Sequence, residues 1–223
     1  LKAGSALTHA DLTSGPGLAG VTTALTSRLV GKKLLYDGQP NDPVTFGVVE
    51  PLVPPTDTEP FDDISVVIRA KNEGAWLRRS LPALLHQQRP PKEIVLVDND
   101  SSDDTAAVIA SYVQRFPTTI KWLSISDEEF SFGRALNRGI EATSTPWVVS
   151  LSAHCIPLHD RWLEAFAAER IPPFVAAAYG KQEPLPDTGD FDKRDLWTTF
   201  GAERRVQLGQ DYFFHKTGII ITS

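Results

Sequence analysis

Asp98, Asp100, Asp103 and Asp104 fall in one stretch, Asp98-Asn-Asp-Ser-Ser-Asp-Asp104, directly after the apolar run Ile94-Val-Leu-Val97. A second apolar run, Ile64-Ser-Val-Val-Ile68, empties in the same way into Arg69-Ala-Lys-Asn-Glu73. Carboxylates in such places can accept charge-assisted hydrogen bonds from a polar ligand. Apolar runs of this length, bounded by turn residues, fit strands buried on both faces of a parallel sheet. Ligands of such sheets bind beyond the carboxyl ends of the strands, so Asp98, Asp100 and Glu73 are expected around one crevice suited to a nucleotide. Asp103 and Asp104 have a plainer task at the start of the next helix, where acidic groups satisfy exposed N–H groups.

The elements that must position these residues follow from periodicity. Leu77, Leu81, Leu84 and Leu85 line one face of a helix between the two runs, with Pro90-Pro91 as its expected stop. A second helix is expected to open at Ser102-Asp-Asp-Thr105, burying Ile109, Val113 and Phe116. Ile120–Ser124 and Trp147–Ser152 read as the third and fourth strands, joined by a helix from Gly133 to Ala142. A helix over about 160–170 and a strand over 175–179 complete the regular pattern. Strands alternating with helices imply right-handed crossovers and a mainly parallel sheet.

Residues 1–60 have a different character, rich in Gly, Thr, Ser and Pro. Gly15-Pro-Gly-Leu-Ala-Gly20 matches G-x-G-x-x-G by letter, but no apolar strand precedes it, so it reads as a turn. Leu18, Val21, Leu25 and Leu29 then recur at helical spacing. This short amphipathic helix would either serve docking and homo-oligomer formation or pack on its own domain. Pro51–Pro60 reads as a stiff extended linker. The expected organisation is an extension over 1–60 and a domain over 61–223.

Composition narrows the function classes. The 223 residues leave room for one domain and an appendage, and a hydrophobic content of 41% supports a sizeable core. A formal net charge of −6 gives no global positive field to gather nucleic acid. Cys155 is the only cysteine, which excludes an intrachain disulfide framework and points to a reducing, cytoplasmic setting. No apolar run approaches the roughly 18 to 20 residues of a membrane span. The chain begins at Leu1 and has no methionine, as expected of a fragment or an edited chain.

Four ordered blocks over about residues 62–183 resemble the family 2 glycosyltransferases, which have the GT-A fold. Ser65-Val-Val-Ile-Arg-Ala-Lys-Asn-Glu73 resembles the first strand and its nucleoside-contacting loop, and Glu93-Ile-Val-Leu-Val-Asp-Asn-Asp-Ser-Ser-Asp103 resembles the second. Gly133-Arg-Ala-Leu-Asn-Arg-Gly139 is similar to the family's Gly/Asn/Gly helix start, and Val148-Val-Ser-Leu-Ser-Ala-His-Cys-Ile-Pro157 stands where the family's strand ends in Asp-x-Asp. The resemblance implies an α/β fold with a mainly parallel, Rossmann-like sheet flanked by helices, preceded here by the Pro-rich-linked extension. It also implies an inverting transfer of a sugar from a nucleoside diphosphate sugar to a hydroxyl acceptor, a cell-surface glycan or a small molecule. Asp98 would hold the nucleoside, with Ala70, Glu73 and Asp100 beside it. Gly133, Asn137 and Gly139 would shape the helix start near the diphosphate. The enzyme would act in the cytoplasm, at the inner face of the membrane in the case of a surface glycan.

The departures from the family pattern are equally specific. Ser152-Ala-His154 replaces the Asp-x-Asp pair that would chelate Mn or Mg. His154 can ligate Mn, but one imidazole is a poor site for a hard cation, so use of Mn or Mg stays open. A cationic side chain, Arg134, Lys71 or Lys181, could instead meet the charge of the leaving group. The general base of the family comes late, in an acidic motif after an acceptor-side strand that Asp211–Thr222 resembles. It is expected beyond Ser223, with Glu183, Asp190 and Asp211 as the alternatives inside the chain. Pro184–Arg194, rich in Asp, reads as a mobile loop near the acceptor. Two other classes compete: a non-catalytic nucleotide-sugar-binding or assembly module on the same fold, and a nucleotidyltransferase. The latter expects a Gly-rich basic loop, of which Arg69–Gly74 is a thin version.

Overall fold

The structure, a computed structural model, describes residues 1–15, 20–168 and 179–199. Its centre is a parallel sheet of β1 (Ile64–Ala70), β2 (Glu93–Asp98), β3 (Ile120–Ser124) and β4 (Trp147–Ser152), in the order β3-β2-β1-β4. The two central strands are buried almost throughout, while β3 and β4 alternate, as edge position requires. Side chains alternate across the pleat. Val66, Ile68, Ile94 and Leu96 therefore pack with Leu77, Leu81 and Leu84 of α2 (Gly74–Leu85) and Ile109 of α3 (Thr105–Arg115). Val67, Val95 and Val97 pack on the opposite face with Ala135 and Leu136 of α4 (Phe132–Glu141). The chain steps outward from β1 to β3 with its helices on one face. It then reverses to β4 with its helix on the other, the arrangement that right-handed crossovers demand.

The strands fall where the apolar runs place them, β1 and β2 extended into their polar ends and β3 and β4 with the expected bounds. The helix α2 stops at Leu85, before Pro90-Pro91, and His86 takes the cap position. The helix expected near 160–170 is described over Trp162–Ala168 as α5, and the strands expected over 175–179 and 211–222 lie outside the described residues apart from Tyr179, which is in no strand. The loop expected up to Arg194 is corrected: α6 covers Asp190–Thr199, with Asp190 and Asp192 in its first turn, where acidic groups suit the helix dipole.

Residues 1–60 fold back onto the sheet domain. A 3-10 turn at Thr23–Leu25 runs into one α turn, α1 (Thr26–Leu29), so the amphipathic segment is short and its apolar face points inward. Leu7, Leu29, Leu34, Phe46, Val49 and Leu52 form a cluster with Ala83 of α2, joined by Val21 and Leu25. The buried carboxylate of Asp160 fastens it: Oδ1 accepts from the Thr22 amide at 2.9 Å and Oδ2 from the Thr22 hydroxyl and Gln88. The Pro51–Pro60 stretch lies along the domain, with Leu52 buried and the Pro54 carbonyl accepting from Arg115 at 3.0 Å. No helix among the described residues is long and apolar enough to cross a membrane.

His86 sits at this junction, 4% exposed, with its ring 6.2 Å from that of Phe46. Its Nδ1–H donates to the Pro82 carbonyl at 2.9 Å, and its Nε2 lies 3.4 Å from Arg28. Burial, with Arg28 and Lys32 nearby, holds its pKa below the ordinary value, and burial moves His159 the same way. The unfolded chain then binds more protons once the pH falls below about 6.5, so stability is lost as pH drops through that value toward the folded pKa. Urea midpoints are expected to fall between pH 7.5 and 5.5, with a flatter dependence in His86→Gln.

Candidate functional site

Register assembles the carboxyl edge of the sheet. Ala70 pairs with Asp98, Asp98 with Ser124, and Arg69 with Ser152. Strands lie about 4.8 Å apart, so Asp98 and Ser152, two strands apart, are separated by roughly 10 Å, a span that a ribose and two phosphates can bridge. The chain leaves β1 toward β2 on one side and comes back on the other as β4. The topological switch point therefore lies between β1 and β4, the place where open α/β sheets bind ligands.

The loops after β1 and β2 are tied to each other. Asp98 is 4% exposed, and its Oδ1 accepts from the Ser101 hydroxyl at 2.5 Å; no described residue donates to Oδ2. The Asn99 amide donates to the Ala70 carbonyl at 2.9 Å, while its buried side-chain Oδ1 has no partner in the protein. Asn72 and Asp100 hold φ of 57° and 44°, a left-handed turn that Asn and Asp tolerate. Asn72 Oδ1 accepts from the Ser102 amide at 2.7 Å. Asp103 accepts from the Thr105 amide at 2.9 Å and from the Gly74 amide at 3.3 Å, so one carboxylate serves the starts of both α3 and α2. Asp104 pairs with Arg78. Asp100 is exposed and accepts from the Asp127 amide at 3.4 Å, in the loop after β3.

At the switch point the Ser152 hydroxyl lies 3.2 Å from His154 Nε2, and His154 Nδ1 lies 3.3 Å from Glu73 Oε1. Glu73 and Ser152-Ala-His154 are thus brought together across β1 and β4. The helix α4 begins at this edge, capped by the Ser131 hydroxyl accepting from the Arg134 amide at 3.1 Å. Gly133 faces open space in its first turn. Asn137, exposed, and Gly139, buried, lie further along the helix, so they do not form its start as the family resemblance suggests. A Cβ on Gly139 would run into Val67 Cγ1 and come within 3.1 Å of Val97 Cγ2; the glycine marks where α4 touches the sheet.

A cavity of about 920 Å³ has His154 in its lining. Trp76, Trp162, Phe166 and Tyr179 give it aromatic walls, and Lys181, Glu183, Asp192 and Asp195 give it charge. Of the alternative bases, Glu183 lines this cavity and pairs with Lys181; Asp211 lies outside the described residues. The other cations suggested by the sequence are also engaged: Lys71 with Asp127, and Arg134 with the Glu129 carbonyl at 3.5 Å. No group of three or more His, Cys, Asp and Glu side chains that could hold a metal occurs among the described residues. A hydroxyl and an imidazole at the end of β4 do not make the hard oxygen set that Mg requires, nor a full set for Mn. Arg69 and Asn99 carry no signal of their own in the sequence; strand pairing marks out Arg69, and a buried oxygen without a partner in the protein marks out Asn99.

A parallel sheet in the order β3-β2-β1-β4, with helices on both faces and polar loops at its carboxyl edge, is the GT-A type of nucleotide-binding fold. The sequence profile of Glycosyl transferase family 2 matches residues 65–221, and the chain belongs to that family. The mannosyltransferase PcManGT from Pyrobaculum calidifontis, solved with GDP-Man and Mn2+, shares the fold at a TM-score of 0.50 and 19% identity, over 64% of this chain and 40% of that one. An uncharacterised protein of Mycobacterium tuberculosis is 47% identical over 51 residues, 23% of this chain. The poly-beta-1,6-N-acetyl-D-glucosamine synthase of Staphylococcus epidermidis is 29% identical over 97 residues, 43% of this chain. The matched stretches span 16% and 22% of those two proteins.

Proposed function

We propose that this chain is an inverting glycosyltransferase that moves a sugar from a nucleoside diphosphate sugar to a hydroxyl acceptor. The observation that carries this reading is the carboxyl edge itself: pairing of β2, β1 and β4 sets Asp98 beside Ala70 and Ser152 beside Arg69 at the strand ends. A large cavity has His154 in its lining. Asp98 and Ala70 would hold the nucleoside, and Glu73, Ser152 and His154 the diphosphate and donor sugar. In the reaction the acceptor oxygen bonds to the anomeric carbon, the bond to the diphosphate oxygen breaks, and a carboxylate takes the acceptor proton. Aromatic walls suit the apolar face of a sugar ring, which favours a glycan acceptor in the cavity. The name of the Staphylococcus epidermidis relative supports the same class, and a surface glycan would put the site of action at the cytoplasmic face of the membrane.

A non-catalytic nucleotide-sugar-binding module is the second reading, favoured by Ser152 in place of a carboxylate. Calorimetric titration with UDP, GDP and dTDP, with and without Mn, tests both. Saturable binding of one nucleotide, followed by turnover of its sugar conjugate, is expected. Binding without turnover would favour the module, and folded protein that binds none of the three would sink the nucleotide site.

A further inference from the structure

We propose that Arg69 is the cation that meets the charge of the departing diphosphate, so that transfer proceeds without a divalent ion at the end of β4. The inference rests on the nucleotide-site reading above and adds to it a residue that the family resemblance does not mark.

Arg69 is the direct neighbour of Ser152 in the β1–β4 register, so both side chains leave the same face of the sheet at the switch point. Its guanidinium carbon lies 4.8 Å from the centroid of the Phe132 ring, the first residue of α4. Because α4 follows β3 and returns antiparallel to the strands, Phe132 stands at the carboxyl edge, which fixes the guanidinium there too. The ring is 71% exposed, an unusual position for a phenylalanine unless it has something to cover.

Among the described residues no carboxylate pairs with Arg69, whereas Lys71, Lys181 and Arg134 are all engaged. Partial burial lowers its pKa from the ordinary value, but a guanidinium starts so high that it keeps its charge. A partly desolvated guanidinium fork that meets no carboxylate among the described residues is suited to bidentate contact with phosphate oxygens. The same fixed charge, one strand from Ser152, opposes a divalent cation in the place where the family pattern puts one. Loss of a carboxylate at Ser152 and a cation at Arg69 thus have one explanation: the charge that a metal would supply is supplied by the side chain. As the bond between the anomeric carbon and the diphosphate breaks, the electron pair stays on the phosphate oxygen, and Arg69 with the Ser152 hydroxyl stabilises it.

The test compares wild type, Arg69→Gln and Arg69→Lys by calorimetry with UMP and UDP, and with GMP and GDP, in EDTA and in Mn. Turnover of the matching sugar nucleotide is followed in parallel. Wild type is expected to prefer the diphosphate over the monophosphate and to keep its turnover in EDTA. Arg69→Gln is expected to lose that preference at least about 10-fold and to lower kcat roughly 100- to 1000-fold with little change in KM for the acceptor. Arg69→Lys, which keeps the charge without the fork, should fall between them; a circular dichroism spectrum like that of wild type confirms that each variant is folded. An unchanged diphosphate preference in Arg69→Gln, or wild-type turnover abolished by EDTA, would overturn the role of Arg69 while leaving the nucleotide site intact. Absence of any nucleotide binding by wild type would overturn both.

Discussion

Asp98→Ala is expected to weaken nucleotide binding by about 10- to 150-fold, the loss of one or two hydrogen bonds to a charged acceptor. The carboxylate is almost fully buried at the end of β2, yet among the described residues it accepts from Ser101 alone. Its second oxygen has no donor among the described residues, and a ligand hydroxyl or N–H there would make a charge-assisted hydrogen bond. Asp98→Asn separates charge from shape: it keeps one carbonyl acceptor for Ser101 and should retain the fold while losing most of the affinity. Titration of both variants with the nucleotide that wild type binds checks this. Equal affinity in wild type and Asp98→Ala would mean that the carboxylate only ties its own loop to Ser101.

Gly139→Ala is expected to destabilise the protein by about 2 kcal/mol, an overpacking cost. In the interior of a helix this substitution normally gains up to about 1 kcal/mol, so the expected sign is reversed by packing. The reason is the contact of α4 with two central strands: a new methyl group would overlap Val67 Cγ1 and press on Val97, and both valines are buried. Gly133→Ala in the first turn of the same helix is the internal control. Nothing stands within 4 Å of a Cβ there, so it should be neutral or slightly stabilising. Urea unfolding of the two variants side by side reads the difference. Similar midpoints would show that α4 can move off the sheet at little cost.

The Gly133–Gly139 stretch carries position more plainly than task. The motif locates α4, but a glycine in sequence looks the same whether it opens a turn, approaches a phosphate or lets a helix touch a sheet. Only the position of Val67 beneath it decides among these. The acidic stretch after β2 shows the opposite case. Asp103 was readable as a helix-start residue because capping is local, although its second bond, to the Gly74 amide, depends on the two loops meeting. Pro184–Arg194 misled for a composition reason: turn-like Asp residues also suit the first turn of a helix, which is where α6 uses them.

The order and type of the elements, and the polar ends of β1, β2 and β4, follow from the residues alone. Apolar runs, helical periodicity and capping are short-range signals carried by the residues themselves. What the tertiary structure decided is which distant residues meet. Strand order made Arg69 the neighbour of Ser152, folding placed Leu7, Leu29, Leu34, Phe46, Val49 and Leu52 against α2, and ion pairs occupied Lys71 and Lys181 while no carboxylate among the described residues meets Arg69. The physical reason is that strand pairing and side-chain pairing join residues far apart in the chain, and their choice depends on the packing of the whole sheet, which no local pattern encodes.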